Sequence, residues 1–250
     1  MSGHSKWSQI KRQKGANDAK RGAVFTKVGR EIAIAARVGG ADPEANFKLR
    51  LAVEKARSVN MPADNIKRAI ERAAGAGEAE QFEEVVYEGY GPGGVAVLVE
   101  AATDNRNRTA AEVRAIFTKA GGQLAGSGAV AWQFAPQGVI TVPRDGHDAD
   151  EVALLAIDAG AEDVHTEDDP IEVLTRPADV EGVRRALEGA GVKVDTAEVS
   201  MQAANTIELD VSHARQNLRL IENLEDQDDV QRVSANFEIP DEVFVEAASA

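Results

Sequence analysis

Near residue 78 the spacing of apolar residues changes from about 3.6 to about 2, and this divides the chain into a helical head and a strand-rich body. In the head, Val24, Phe25, Val28, Ile32, Ala35 and Ala36 fall on one side of a helix expected from Asp18 to the Gly39–Gly40 break. Asp42–Pro43 is expected to cap a second helix carrying Phe47, Leu51 and Val59. Pro62 and Asp64 open a third, through Ile66 and Ile70, which Gly75 and Gly77 stop.

Beyond the head, Glu84 to Glu88 and Gly94 to Ala101 alternate as strands around a glycine-rich turn. Thr109-Ala-Ala-Glu112 has the form of a capping box and is expected to open a helix through Val113, Ile116 and Phe117. A strand over Ala129 to Phe134 follows. Residues 138–142, 149–159, 162–167, 171–176, 178–189 and 192–202 then read as βαββαβ, the split arrangement of ferredoxin-like folds. After it come a strand from Thr206 to Val211, a helix capped by Ser212 and a strand from Val230 to Phe237. Joined across the middle unit, residues 80–135 and 206–240 are also approximately βαββαβ. The expected class is α+β: an N-terminal three-helix domain, then two ferredoxin-like units, one inserted in the other. The expected boundaries are 1–77, 78–135 with 205–250, and 136–204.

Charge follows the same division. Residues 1–77 hold 16 of the 28 Lys/Arg and 7 of the 42 Asp/Glu, so a head at +9 precedes a body at −23. A concentrated basic segment points to phosphate backbones, whose condensed counterions Lys and Arg release; the alternative is a head folded back onto its own acidic body. Lys6, Lys11, Arg12, Lys14, Lys20, Arg21, Lys27 and Arg30 are the candidate nucleic-acid contacts, set against Asp18 alone. Trp7 among them either stacks on an unpaired base or anchors the arm. Arg106 and Arg108, in Thr103-Asp-Asn-Arg-Asn-Arg-Thr109, either pair with neighbouring carboxylates or bind a partner's phosphate or acidic group.

Little in the chain points to catalysis. With no cysteine, disulfides and thiolate metal sites are excluded, which fits a reducing cytosol. The four histidines share no ligand spacing, and the acidic run Glu222–Asp229 lacks that of a calcium loop. Gly89-Tyr-Gly-Pro-Gly-Gly94 matches a dinucleotide fingerprint letter for letter, but a strand follows it where a helix is needed, so it reads as a turn. No cofactor is expected. No apolar run approaches the ~20 residues of a membrane span, and the first residues lack a signal's apolar stretch. A cytoplasmic protein is expected.

The wording GHSKWSQIKRQKGANDAKRGAVFTKVGREI, YEGYGPGGVAVLVE and TDNRNRT closely resembles the YebC family, which includes a mitochondrial translational activator of cytochrome oxidase. The likeness is most specific over 2–134 and 205–237; over 136–202 it lies in element pattern. It implies a three-domain cytoplasmic protein without catalysis or cofactor, widely described as a probable DNA-binding transcriptional regulator. Other members are linked to translation, acting on the ribosome or messenger RNA. No residue roles are carried over from it.

Overall fold

The computed structural model describes residues 18–74, 82–167 and 169–249. They form two compact units, one of 18–131 with 215–233 and the other of 132–214 with 234–249.

The first unit opens with helices α1 (Asp18–Gly39), α2 (Phe47–Ser58) and α3 (Ala63–Ala74). Val28, Ile32, Ala35 and Ala36 of α1 pack with Leu49, Ala52, Val53 and Ala56 of α2 and with Met61 and Ile66. The end of α1, the start of α3 and the apolar face of α1 are as expected; the glycines expected to stop α3 lie outside the described residues. The start of α2 is not. Asp42 Oδ1 accepts from Glu44 N at 3.0 Å and closes a turn, while Asn46 is the N-cap, its Oδ1 accepting from Leu49 N at 3.2 Å. Asn46 Nδ2 also donates to Ala35 O and Gly40 O, each at 2.8 Å. A side-chain amide supplies the two N–H donors and the acceptor that here tie two helix ends at once. The buried face of α2 is accordingly Leu49, Ala52, Val53 and Ala56, not Phe47, Leu51 and Val59.

Strands β1 (Glu83–Tyr90) and β2 (Ala96–Thr103) form an antiparallel hairpin, with Glu83 opposite Thr103 and Tyr90 opposite Ala96. Helix α4 (Arg106–Lys119) leads to β3 (Gln123–Leu124), which pairs antiparallel with the far side of β1. β2 and β3 therefore run parallel with β1 between them, a split crossover. Helix α7 (Val211–Asp226) precedes β8 (Val230–Ala235), completing the sheet order β3-β1-β2-β8. The glycine segment is a turn, and β2 follows it. Gly94 has φ 81°, and a Cβ on Gly91 would lie 2.1 Å from Asn217 Oδ1. Gly94→Ala should cost about 1–2 kcal/mol from the left-handed backbone alone. Gly91→Ala should cost more, because Asn217 is buried and its amide already holds Pro92 O at 2.8 Å. Thermal unfolding of the two variants checks the order.

Two capping expectations and one strand give way here. Helix α4 begins at Arg106, capped by Asn105, whose Oδ1 accepts from Arg108 N at 3.1 Å. Thr109 is inside the helix because its hydroxyl donates to Asp229 Oδ2 at 2.6 Å instead of capping. For α7 it is Asp210, not Ser212, that accepts from His213 N, at 2.9 Å. Residues 129–133 form no strand. The buried Glu88 carboxylate accepts from Gly128 N at 2.6 Å and from Val130 N and Ala131 N at 2.7 Å, donors that a strand would offer to a neighbour.

In the second unit, β4 (Phe134–Val142), α5 (Ala149–Asp158), β5 (Asp163–His165), β6 (Ile171–Thr175), α6 (Val180–Gly189) and β7 (Thr196–Ala203) follow as βαββαβ. The sheet order β5-β6-β4-β7, with antiparallel pairs throughout, is the ferredoxin-like topology expected. Ile140, Val142, Ile171 and Val173 of the sheet pack on Val152 and Ala156 of α5 and on Val183 and Leu187 of α6. Thr206 to Val211 is not a strand; one bridge, Ile207 to Phe237, stands there, and a last helix α8 (Asp241–Ser249) follows.

Candidate nucleic-acid interface

The basic residues of the head divide by what they touch. Lys6, Trp7, Lys11, Arg12 and Lys14 lie outside the described residues, and Lys20 and Arg21 fall in the first turn of α1. Lys27 and Arg30, one turn apart on α1, reach the end of α7 and the segment leading into β8. Lys27 Nζ donates to Glu225 O, at the helix end where the macrodipole favours a cation. Arg30 Nη1 donates to Asp228 O at 2.6 Å and to Asp229 Oδ1 at 2.8 Å, and its guanidinium lies 5.0 Å from the centre of the Phe82 ring. Only 15% of the Arg30 side chain is exposed. Both cations are thus engaged by the chain's own oxygens, and a phosphate reaching Arg30 would have to displace Asp229.

Asp229 gathers what the sequence kept apart. Besides Arg30 it accepts from Arg108 Nη2 and the Thr109 hydroxyl at 2.8 and 2.6 Å, with the Thr103 hydroxyl at 3.4 Å. Its own carbonyl receives Ala102 N of β2 at 2.8 Å. Its side chain is 2% exposed. Burial alone would raise the Asp229 pKa, but the hydrogen bonds from Arg108 and Thr109 and the charges of Arg30 and Arg108 outweigh it, and the carboxyl titrates below its ordinary value.

Of the two readings offered for Arg106 and Arg108, the geometry displays pairing with the chain's own carboxylates. Arg108 bridges Asp104 and Asp229, both at 2.8 Å. Arg106 is 3.6 Å from Glu83 Oε2 and 62% exposed. The arginines are thus unequal: Arg106 is the more exposed and the more loosely paired.

Among the described residues, the exposed cations of the head sit mostly on α2 and α3, which sequence reasoning passed over as site residues. Lys48, Arg57 and Arg72 are exposed and form no ion pair among the described residues. By contrast Lys55 pairs with Glu31 at 2.8 Å, and Arg50 donates to Pro43 O and Glu44 O at 3.0 and 2.8 Å. Interruption of the apolar period by Lys48 and Arg57 was the available signal for two of the three. Among the described residues no three His, Asp or Glu side chains are placed to hold a metal ion. No described helix is long and apolar enough to cross a membrane.

Comparison with known proteins covers almost the whole chain. A family model described as the TACO1/YebC protein N-terminal domain matches residues 5–76, and one described as the TACO1/YebC second and third domain matches 82–237. A probable transcriptional regulatory protein of Rubrobacter xylanophilus is 56% identical over 99% of this chain and 100% of its own. One from Syntrophus aciditrophicus is 55% identical over 98% of both. The crystal structure of a conserved hypothetical protein from Aquifex aeolicus superposes with a TM-score of 0.84 at 48% identity, covering 90% of this chain and 93% of that one.

Proposed function

Because the chain belongs to the TACO1/YebC family, we propose that it is a non-enzymatic regulator of gene expression that binds DNA through its basic N-terminal domain. The names of its relatives, probable transcriptional regulatory proteins, support the regulatory role. The observation that carries nucleic-acid binding is the charge division, +9 over residues 1–77 against −23 over the rest. With Lys27 and Arg30 directed to the body, the exposed Lys48, Arg57 and Arg72 carry the described part of the contact. Residues 1–17, with Lys6, Trp7, Lys11, Arg12 and Lys14, supply the rest. The acidic body is repelled by the same backbone and so orients the head toward it.

A second reading is favoured by the body itself: a ribosome- or RNA-associated activator of translation, with the head on RNA and the acidic surface on protein. It uses both signs of charge. Arg106 then belongs to the partner-facing surface, contacting a phosphate or carboxylate.

Fluorescence anisotropy with duplex DNA and with single-stranded RNA over a range of salt tests both. Each phosphate neutralised should contribute a slope of about −0.9 in log K against log salt on duplex and about −0.7 on single strands. Changing Lys48, Arg57 and Arg72 together to Gln should lower the magnitude of the slope by about one per residue in contact and leave the melting temperature unchanged. Parent-like binding with an unchanged slope removes these residues from the site. A consistent preference for RNA selects the second reading.

A further inference from the structure

The inserted domain concentrates one sign of charge: residues 134–203 hold 16 Asp/Glu against 5 Lys/Arg. Its two helices treat that charge differently. On α6, Arg184 pairs with Glu181 at 2.9 Å and Glu188 at 3.2 Å, and Arg185 pairs with Glu181 at 2.6 Å. On α5, Asp150, Glu151 and Asp158 form no ion pair among the described residues.

The same face of α5 carries two large apolar side chains in water. Leu154 is 68% exposed and Ile157 49%. Single exposed apolar residues are ordinary, but these are i,i+3 neighbours on one face. The four helical neighbours of Leu154 at three and four residues are Asp150, Glu151, Ile157 and Asp158. An apolar pair is thereby framed by three carboxylates, with Val152 and Ala156 buried on the opposite side. Asp150 and Glu151 stand in the first helical turn, where the macrodipole favours them. Asp158 stands at the other end, where it does not. Folding therefore leaves much of the apolar surface of Leu154 and Ile157 in water and gains no dipole stabilisation from Asp158.

We propose that this face, Leu154 and Ile157 framed by Asp150, Glu151 and Asp158, docks a Lys/Arg-rich protein segment carrying an apolar anchor, in the form of a basic amphipathic helix. Charge complementarity selects that occupant. A nucleic-acid backbone is repelled by the domain's excess of carboxylates. A two-fold contact with a second α5 would set its carboxylates against those of the copy. An apolar centre with a charged rim is the layout in which anchor residues supply affinity and the rim supplies orientation and speed of encounter. The surface uses none of the head's cations, so it stands independently of the nucleic-acid reading.

The test titrates the isotope-labelled full chain with two synthetic peptides of equal charge. One carries Lys and Leu at helical spacing; the other has Ser in place of Leu. The Lys/Leu peptide is expected to perturb amides over 150–158 and to bind at least about tenfold more tightly, a difference of about 1.4 kcal/mol. Leu154→Ser with Ile157→Ser should weaken it by a similar factor. Asp150→Asn, Glu151→Gln and Asp158→Asn together should weaken it and flatten its salt dependence. All five side chains are exposed, so nucleic-acid binding should stay at parent values in both variants, and the melting temperature should fall only slightly in the carboxylate variant, which gives up the favourable first-turn charges of Asp150 and Glu151. If Leu154→Ser lowers the melting temperature, the carboxylate variant, which leaves the apolar pair intact, decides. Equal affinity for the two peptides, parent-like binding by the carboxylate variant or perturbations mapping elsewhere would overturn the proposal. So would perturbation of 150–158 by duplex DNA, or self-association that Leu154→Ser and Ile157→Ser abolish.

Discussion

Asp229→Ala is expected to destabilise the protein by about 3–5 kcal/mol, the usual consequence of removing one partner from a buried ion pair. The loss exceeds a single contact because Arg30 keeps its charge with only 15% of its side chain exposed to water. Thr109, fully buried, loses its acceptor as well. Arg108→Gln should cost less, since that side chain is 42% exposed and retains solvent when its partners are gone. The pH dependence has a definite sign. The Asp229 carboxyl titrates below its ordinary value in the folded chain, so the unfolded chain binds its proton first. Its contribution is complete above the ordinary aspartate range, near pH 4, and is lost as pH falls through the lower folded value. Chemical denaturation of parent and Asp229→Asn should therefore converge in acid and diverge toward neutrality. A constant difference between them would mean that the carboxylate's charge contributes nothing.

Glu88→Ala is expected to cost about 2–4 kcal/mol. It orphans the N–H groups of Gly128, Val130 and Ala131, and each buried donor left unpaired costs about 1–3 kcal/mol unless water reaches it. Burial pushes the Glu88 carboxyl up, but the backbone N–H groups more than offset this and hold it below its ordinary value. Its stabilisation is thus also present at neutral pH and lost in acid. Hydrogen exchange should locate the effect: amides 128–131 should lose protection in Glu88→Ala before the β1–β2 hairpin does. Glu88→Gln should recover little, because its NH₂ group would face donors. Unchanged protection in either variant would show that the segment holds its shape without the carboxylate.

These two carboxylates mark where sequence reading succeeds and where it stops. The apolar stripe Val28, Ile32, Ala35, Ala36 was legible because helical period is local, and the order of the inserted domain was legible because its strands and helices alternate with clear breaks. The cap residues were not. Asp42, Thr109 and Ser212 have as good a local claim as Asn46, Asn105 and Asp210, and distant partners decide among them: Thr109 is taken by Asp229, 120 residues on. The candidate site was legible as a quantity of charge but not as a direction. On α1, Arg30 lies away from the apolar stripe and reads as solvent-facing, yet its carboxylate is 199 residues further along the chain. Exposed Leu154 and Ile157 were hidden for the converse reason: in a sequence, an apolar residue on an amphipathic helix reads as core.

The inserted domain enters and leaves its host at one place. Phe134 is paired with Ala203, and just outside them Ala204 N donates to Gln133 O at 2.8 Å. Before the insert folds, the stretch from 134 to 203 is part of the long connection between β3 and β8 that must close for β8 to reach β2; afterwards it is equivalent to a link of a residue or two. That loop, from β3 to β8, falls from about 105 residues to about 37, which by the logarithmic dependence of closure entropy on length relieves the outer sheet of about 1 kcal/mol. Folding of one domain thus lowers the cost of assembling the other, a coupling carried by chain connectivity alone. Any change that melts the insert reaches the host sheet as entropy, without touching a residue in it.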